Sequence, residues 1–450
     1  MKKRKVAALV LSMSMVTGML AGCGDSSSSG TTASTGTTGA VTAEESKTEQ
    51  PAPSGSGEPV TISFAWWGSQ DRADRTNQAV ELFMEKNPDI KVETSFYPFD
   101  SYYENLSISA TSGNMPDVFQ GFIGAADSQQ YMAQGLLEPL DTYIVQGLIN
   151  ISDISDSLVA TGMDQGKNYG VSLGANVKCM AIDPDVYAQA GLTIPEVAYE
   201  SWEALGADLE KIKEVTGAYG GDDFFNVNYT LPYFCRQYGE TQFDSEAEAK
   251  VGFSKETYVK YYETRLAWME QGLIPPYDIT SGANGLEDSL LVKGKSGAKT
   301  CYSTEYKTLS EAAGKELKLI LLPGPNTEKG TDIRAGQHVC MSSQSKNKEA
   351  AAKLIDFLVN DVDCNKILNA ERGMPASDVV RAALMDGFDE NQKKMAEILD
   401  LATNHSSAGD LAPKGNTTEL YNLSLDLEEE IIYGVITPEE AYEQLVAAGK

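Results

Sequence analysis

The sequence predicts an α/β protein, because strand-like and helix-like segments alternate from residue 60 onward. Large apolar residues alternate along 60–66, which is typical of a strand. Residues 71–87 repeat apolar side chains with the period of a helix, and 90–96 form a second strand pattern. This opening is a β-α-β unit, whose two strands lie parallel in one sheet.

Further elements of both kinds follow along the chain. The predicted strands lie at 117–119, 169–182 and 317–322, and the predicted helices at 128–135, 201–216, 345–359 and from 437 onward. Thr437 and Glu440 form a capping box, with Pro438 at the first helical position. The body of about 390 residues exceeds what one hydrophobic core holds, so we expect more than one lobe.

Composition excludes several classes of function. The 450 residues include 36 Lys and Arg against 65 Asp and Glu, a net charge of −29, so nucleic acid is not an expected partner. The chain has two histidines and no CxxC spacing, which disfavours a metal site and a Ser–His–Asp triad. We therefore expect no metal, no cofactor and no catalytic residues.

The N-terminus reads as an export signal. Four basic residues at 2–5 precede an apolar stretch at 6–20 that is too short and too diluted for a membrane span. The stretch ends in Leu20-Ala21-Gly22-Cys23, a lipobox, so we expect residues 1–22 to be a signal peptide and Cys23 to be lipidated. The alternative is a short transmembrane anchor.

Residues 23–59 therefore comprise the lipidated cysteine and a linker. From 24 onward this linker is Ser, Thr, Gly, Ala, Glu and Pro, a composition that cannot bury a core, and we expect it to be disordered. Five cysteines remain after Cys23, an odd number that excludes a complete disulfide framework. We interpret them as buried free thiols.

Six short motifs occur in the same order as in a known family. They read ISFAWWG at 62–68, GNMPDV at 113–118, GLLEPLD at 135–141, YGVSL at 169–173, SKNKEAA at 345–351 and ERGMP at 371–375. Behind a lipobox, this series resembles the family 1 extracellular solute-binding proteins, the sugar-binding lipoproteins of ABC importers in Gram-positive bacteria. Two places depart from the family pattern: Ser172 replaces a proline, and Lys299-Thr300 replaces Ala-Met.

The resemblance implies a fold and a function. The fold is the two-lobe periplasmic-binding-protein type II fold of maltose-binding protein, with hinge crossings and a cleft between lobes. The implied N-lobe is 60–173 plus 324–370, and the implied C-lobe is 174–323 plus 371–450. The implied protein is not an enzyme but a monomeric receptor, anchored by lipid to the outer face of the membrane. It captures a carbohydrate by hinge closure and delivers it to the transmembrane subunits of an ABC permease.

Candidate ligand residues of the N-lobe follow strands. Strand alternation separates Trp66 from Trp67 and leaves Trp67 free to stack on a sugar. Gln70, Gln120 and Phe122 follow the carboxyl ends of strands, where α/β sheets bind ligands. Asp117 is a further candidate, with a turn carboxylate as its alternative role.

The other candidates belong to the C-lobe or to the crossings. Aromatic, amide and charged groups suit a carbohydrate, which offers hydroxyls and flat apolar faces. The candidates are Asn176, Asn228, Tyr229, Tyr233, Tyr302, Glu305, Arg334 and Arg372. For Arg334 and Arg372 a structural ion pair is the competing interpretation, and it is favoured for Arg372.

Two other functions remain open from the residues alone. A secreted carbohydrate-active hydrolase needs only two placed carboxylates, although no nucleophile elbow, zincin helix or P-loop is present. A binding protein for a peptide or a polyamine would share the same fold. Only Arg236, Arg334 and Arg372 could meet an acidic sugar, so a neutral oligosaccharide is favoured.

Overall fold

The computed structural model describes residues 59–124, 126–222, 224–282, 285–410, 413, 415 and 417–449. The predicted signal peptide, the lipidation site at Cys23 and the linker up to residue 58 lie outside these residues. The description below concerns the compact unit Gly57–Lys450. Among its described helices, none combines the length and apolar character that a membrane span requires.

The described residues form twelve strands. They are β1 Val60–Trp67, β2 Ile90–Tyr97, β3 Val118–Gly121, β4 Met163–Asp164, β5 Lys167–Asn168, β6 Gly170–Ser172, β7 Ala175–Ile182, β8 Tyr219–Gly221, β9 Ser296–Tyr302, β10 Lys318–Leu321, β11 Ile333–Ala335 and β12 His338–Met341.

The described α-helices number eighteen. They are α1 Gln70–Lys86, α2 Phe99–Thr111, α3 Ala126–Ala133, α4 Asp141–Val145, α5 Asp156–Ala160, α6 Pro184–Gln189, α7 Trp202–Thr216, α8 Thr230–Gln237, α9 Lys255–Glu270, α10 Tyr277–Thr280, α11 Tyr306–Ala313, α12 Thr327–Gly330, α13 Lys348–Asn360, α14 Val362–Leu368, α15 Asp378–Leu384, α16 Glu390–Thr403, α17 Thr418–Ile432 and α18 Pro438–Ala448. Short 3-10 turns lie at Leu286–Asp288, Ser303–Glu305 and Met385–Gly387.

Two larger sheets organise these elements, and β4 pairs with β5 in a separate two-stranded sheet. The first has the order β2-β1-β3-β12-β6, with β1 parallel to β2 and β3, and β12 antiparallel to both of its neighbours. The second has the order β10-β7-β9-β8, and β11 pairs with the first residues of β7. The predicted α/β class and the opening β-α-β unit are confirmed.

Local chemistry explains where the helices begin. The Ser69 side chain accepts a hydrogen bond from the Arg72 amide at the start of α1. The predicted capping box of α18 is present, since Thr437 and Glu440 exchange side-chain and backbone hydrogen bonds. Each cap satisfies amide groups that the first turn of a helix leaves without partners.

The two indoles of β1 point to opposite faces of the first sheet, as alternation predicts. Trp66 joins the core between β1 and the helices α1 and α13, where its ring lies 4.8 Å from that of Phe64. Trp67 joins a separate core with Tyr102 and Phe119. The helices on either side of the sheet therefore bury both of its faces.

The chain passes between the sheets at three neighbouring places. They are Gly174, between β6 and β7; Gly336, between β11 and β12; and the segment 371–374. The Gly336 amide donates to the Gly174 carbonyl at 2.6 Å, and Ala175 and Met374 exchange backbone hydrogen bonds at 2.7 and 3.1 Å. A Cβ at Gly174 or Gly336 would lie 2.4 or 2.1 Å from the Arg372 carbonyl oxygen, so only glycine fits.

This arrangement corrects one predicted boundary. The expected return to the N-lobe at residue 324 does not occur there, because β11 still pairs with β7 of the second sheet. Residues 327–330 form α12, which packs on α8. The chain re-enters the first sheet only after Gly336, at β12.

Candidate functional site

A cavity of about 330 Å³ lies between the two lobes, beyond the carboxyl end of β3. The first lobe lines it with Ile123, Gly124, Gln129, Ala160, Thr161 and Met163. The second lobe lines it with Asn228, Pro232, Gln242, Phe243, Arg334, Ala408, Gly409, Asp410 and Pro413. This is the position at which open α/β sheets bind ligands.

A larger depression of about 600 Å³ lies elsewhere on the first lobe. It surrounds the amino ends of β1 and β2, next to Val60 and Asp89. Only the first lobe lines it. The smaller cavity, which both lobes line, is therefore the better candidate for a ligand site.

Two ion pairs border the cavity. The Arg334 Nε donates to Asp332 at 2.8 Å, and the Arg236 Nη1 donates to Asp410 at 2.6 Å. Burial by itself would raise the pKa of Asp332, but the nearby Arg334 and Lys178 charges lower it to about 2. Each guanidinium group is thus already paired with a carboxylate.

Lys178 lies beneath these pairs in the middle of β7. Its side chain is 2% exposed, and its Nζ lies 3.9 Å from Asp332 and 5.7 Å from the centre of the Tyr229 ring. Within the described residues, Nζ has no hydrogen-bond partner. Burial and the neighbouring Arg334 charge lower the pKa of Lys178 to about 7.

Two tyrosines stand beside Lys178. Tyr302, at the end of β9, pairs with Lys178 across the sheet, and its ring meets that of Tyr229 edge-on at 4.8 Å. The Tyr229 hydroxyl donates to the Cys301 carbonyl. The Tyr302 amide donates to Glu305 at 2.8 Å, and burial raises the pKa of this carboxyl in spite of that bond.

His338 fixes two residues of the cavity wall. Its Nδ1 accepts a hydrogen bond from the Ile123 amide at 3.3 Å, so its other nitrogen carries the proton toward the Thr161 hydroxyl at 2.9 Å. The ring is buried, and burial lowers the pKa of His338 to about 4. The neutral ring therefore bridges β3 and α5 at the rim of the cavity.

The predicted aromatic candidates of the first lobe form a closed cluster. Trp67 is 5% exposed, because Phe99, Tyr102, Tyr103 and Phe122 surround its indole with ring centres 5.0–5.8 Å away. Phe99, Tyr102 and Tyr103 belong to α2, which covers this edge of the sheet. Trp67 does not line the cavity.

Three other candidates hold the first lobe together. Asp117 lies at the amino end of β3, where its carboxylate accepts hydrogen bonds from Ser63 at 2.8 Å and from Ser345 at 2.6 Å. The buried Arg372 Nε donates to Gln120 at 2.9 Å. Asp117 thus holds a backbone amide, as in its alternative role, and Arg372 also lies 3.6 Å from the carboxylate of Glu371.

The remaining candidates fall into two groups. Asn228 and Arg334 line the cavity, and Asn176 pairs with Arg334 across β7 and β11. Gln70 lies exposed at the start of α1, bonded to Asp74, and Tyr233 is buried, with its hydroxyl on the Leu322 carbonyl.

Sequence reasoning missed several residues at or beside the cavity: Thr161, Lys178, Gln242, Phe243, Asp332 and Asp410. One of them carried a usable signal. Lys178 is the charged residue of an otherwise uncharged strand, Ala175–Ile182, and a charge in a buried strand indicates a special environment.

Within the described ranges, no group of three or more His, Cys, Asp and Glu side chains is placed to hold a metal ion. The site thus consists of amide, aromatic and paired charged groups around a cavity between two α/β lobes. Such a site is suited to holding a solute without covalent chemistry. Fold and site together define a two-lobe solute-binding protein.

Comparison with known proteins agrees with this class. The family model described as bacterial extracellular solute-binding protein matches residues 68–362. The chain belongs to this family. A solved family 1 extracellular solute-binding protein from Alicyclobacillus acidocaldarius subsp. acidocaldarius DSM 446 is similar with a TM-score of 0.77 and 28% identity, over 87% of this chain and 98% of that one.

Two relatives are similar in sequence. A binding protein of Brucella abortus (strain 2308) is 26% identical over 291 residues, 62% of this chain and 66% of that protein, which is just under two thirds of its length. The arabinooligosaccharide-binding protein of Bacillus subtilis (strain 168) is 23% identical over 384 residues, 82% of this chain and 79% of that protein.

Proposed function

We propose that this protein is the lipid-anchored receptor of an ABC importer and that it captures a neutral oligosaccharide between its lobes. The observation that carries the proposal is the cavity that both lobes line, with amide groups and Phe243 on its wall. Amides bond sugar hydroxyls, and an aromatic ring packs on the apolar face of a sugar. The similarity to an arabinooligosaccharide-binding protein supports the ligand class.

Capture would work by closure of the two lobes. A ligand stabilises the closed state by the difference in its contacts between the two states, so it must touch both lobes. Gln129 on one side and Asn228 with Gln242 on the other are placed to do this. The crossings at Gly174 and Gly336 are the segments that a hinge motion would bend.

The charges favour a neutral ligand over an acidic one. An acidic sugar needs a cation that is free to bind it, but Arg236 and Arg334 are paired with carboxylates. Arg372 is buried against Gln120 and Thr76. Lys178 is enclosed, and its lowered pKa weakens its positive charge near neutral pH.

The proposals of a lipid anchor and of a permease partner are based on the sequence and the family rather than on the cavity. Lipid attachment at Cys23 is proposed from the lipobox, and the outer face of the membrane from the extracellular family. Two or more acyl chains give stable attachment, which a net charge of −29 could not provide on an anionic membrane. Delivery to permease subunits is proposed from the resemblance to the sugar-binding lipoproteins of ABC importers.

A ligand screen tests the proposed function. The chain from residue 58 onward is melted with neutral oligosaccharides, acidic oligosaccharides, peptides and spermidine. A ligand at 100 times its Kd adds about 2.7 kcal/mol of stability, which raises Tm by a few degrees in a protein of this size. We expect the shift with neutral oligosaccharides. A shift confined to peptides or spermidine would contradict the ligand class, and release of shortened sugars would indicate a hydrolase.

Matched variants then locate the site. Asn228→Ala and Phe243→Ala each remove one cavity contact and should raise Kd roughly fivefold, because such contacts are worth about 1 kcal/mol. Gln70→Ala removes an exposed amide away from the cavity and should leave Kd unchanged. Equal effects from the cavity variants and the Gln70 control would refute the assignment of the cavity.

A further inference from the structure

Two buried cysteines face each other in the second sheet. Cys179 of β7 and Cys301 of β9 are directly opposite partners in the antiparallel pair. Their Sγ atoms lie 3.7 Å apart, and both residues are at most 1% exposed. The other described cysteines lie in different elements: Cys235 in α8, Cys340 in β12 and Cys364 in α14.

The backbone at this pair already suits a covalent link. Directly opposite residues of antiparallel strands have Cα atoms about 4.5–5.5 Å apart, within the range of about 4.4–6.8 Å that disulfides span. The two sulfur atoms would have to approach from 3.7 Å to about 2.05 Å. Rotation about the two Cα–Cβ bonds can supply this movement without displacing either strand.

We propose that Cys179 and Cys301 form a disulfide when the chain folds in the presence of a low-molecular-weight disulfide outside the cell. One cysteine thiolate attacks a sulfur of the small disulfide, forms a mixed disulfide and releases one small thiolate. The second cysteine thiolate then attacks the protein sulfur of the mixed disulfide and releases the other small thiolate. The protein loses two thiol protons, and the small disulfide becomes two thiols.

The compartment and the burial set the conditions for this step. The extracellular family places the chain where disulfides persist. In the folded protein, burial and the Cys301 thiol raise the pKa of the Cys179 thiol, which disfavours the reactive thiolate. Oxidation is therefore expected while β7 and β9 assemble, and the finished bond is shielded from reductants.

The bond would lie directly under the candidate site. Cys179 follows Lys178, and Cys301 precedes Tyr302, whose backbone pairs with Lys178. The Cys301 carbonyl accepts the Tyr229 hydroxyl. A disulfide here would hold the strands that carry Lys178 and Tyr302 at a fixed spacing.

Differential alkylation of the full chain tests the proposal. The detergent-extracted protein is reduced and unfolded in urea, then refolded with reduced and oxidised glutathione. The refolded protein is unfolded again in urea, and its free thiols are alkylated with iodoacetamide. Oxidised cysteines are then reduced and labelled with N-ethylmaleimide. We expect N-ethylmaleimide on Cys179 and Cys301, and iodoacetamide on Cys235, Cys340 and Cys364. Iodoacetamide on both members of the pair, or oxidation of a different pair, would overturn the proposal.

Variants separate pairing from general reactivity. Cys301→Ala should prevent the protein disulfide, and Cys179→Ala provides the same test if the first variant does not refold. Cys364→Ala removes a buried cysteine of helix α14, outside the second sheet, and should leave the Cys179–Cys301 link intact. A disulfide at Cys179 that persists in Cys301→Ala, through another protein cysteine, would refute the assigned partner.

Discussion

Replacing Lys178 by methionine should make the protein more stable near neutral pH. The Lys178 ammonium group has no described hydrogen-bond partner, and burial lowers its pKa to about 7 from an ordinary 10.5. Between these two pH values the unfolded chain holds a proton that the folded chain does not. The free energy of unfolding of the wild type therefore rises with pH through this window and is lowest below it.

The size of the effect follows from the two pKa values. Between the two pKa values, each pH unit changes the free energy of unfolding by about 1.36 kcal/mol. From pH 7.5 to 9.5 the unfolding free energy of the wild type should therefore rise by about 2.5 kcal/mol relative to that of Lys178→Met. At pH 7.5 the methionine variant should be more stable by about 1–4 kcal/mol, since Asp332 keeps its pair with Arg334. Methionine also fills the space of the aliphatic part of the lysine.

Urea unfolding followed by tryptophan fluorescence measures both quantities at the two pH values. Lys318→Met, on the exposed start of β10 in the same sheet, controls for the loss of one positive charge and should change stability by less than about 0.5 kcal/mol. The decisive quantity is the difference in unfolding free energy between the wild type and Lys178→Met. If that difference is the same at both pH values, Lys178 does not change its protonation on unfolding and the reasoning is wrong.

Three further predictions concern stability. Trp67→Ala should cost about 3–5 kcal/mol in urea unfolding, because it empties a core site, while calorimetry should still show ligand binding by the folded fraction. Asp117→Ala should lower the unfolding free energy by about 1–3 kcal/mol without altering Kd, since the Ser63 amide and hydroxyl lose their acceptor. The pKa of His338 is lowered to about 4, so stability should fall by about 2.5 kcal/mol between pH 7 and 4.5. His338→Gln, which can still bond Thr161, should lack most of that fall.

Most of the fold could be predicted because its signals are local. The strand at β1 and the helix at α1 each repeat apolar residues with their own period, and the cap at Thr437 needs only four consecutive residues. The predicted return to the first lobe near residue 324 was wrong because it also relied on a local signal. Pro323 and Pro325 do end a strand locally, but α12 and β11 then pack on the second sheet, a contact that no local pattern encodes.

The site was harder to predict because its accessibility depends on distant segments. The rule that ligands bind at strand carboxyl ends pointed to the edge of β3, where the candidate cavity lies. Trp67 also lies at such an end, but α2 folds over it and buries it. Conversely, Phe243 and Asp410 reach the cavity from segments between helices, where neither periodicity nor strand position indicates a role.

The Arg372 segment lies where the proposed hinge is close to the candidate ligand site. Its side chain is fixed to the first lobe through Gln120 and Thr76, while the next residues bond the backbone of β7 in the second lobe. Because Gly174 and Gly336 press against the Arg372 carbonyl, the three crossings touch without intervening side chains. If one lobe rotates about this contact, the distance between the lobes changes little at the crossings and more with increasing distance from them. If the lobes close as proposed, a solute in the cavity gains contacts to both lobes on closure, and this gain would couple binding to closure.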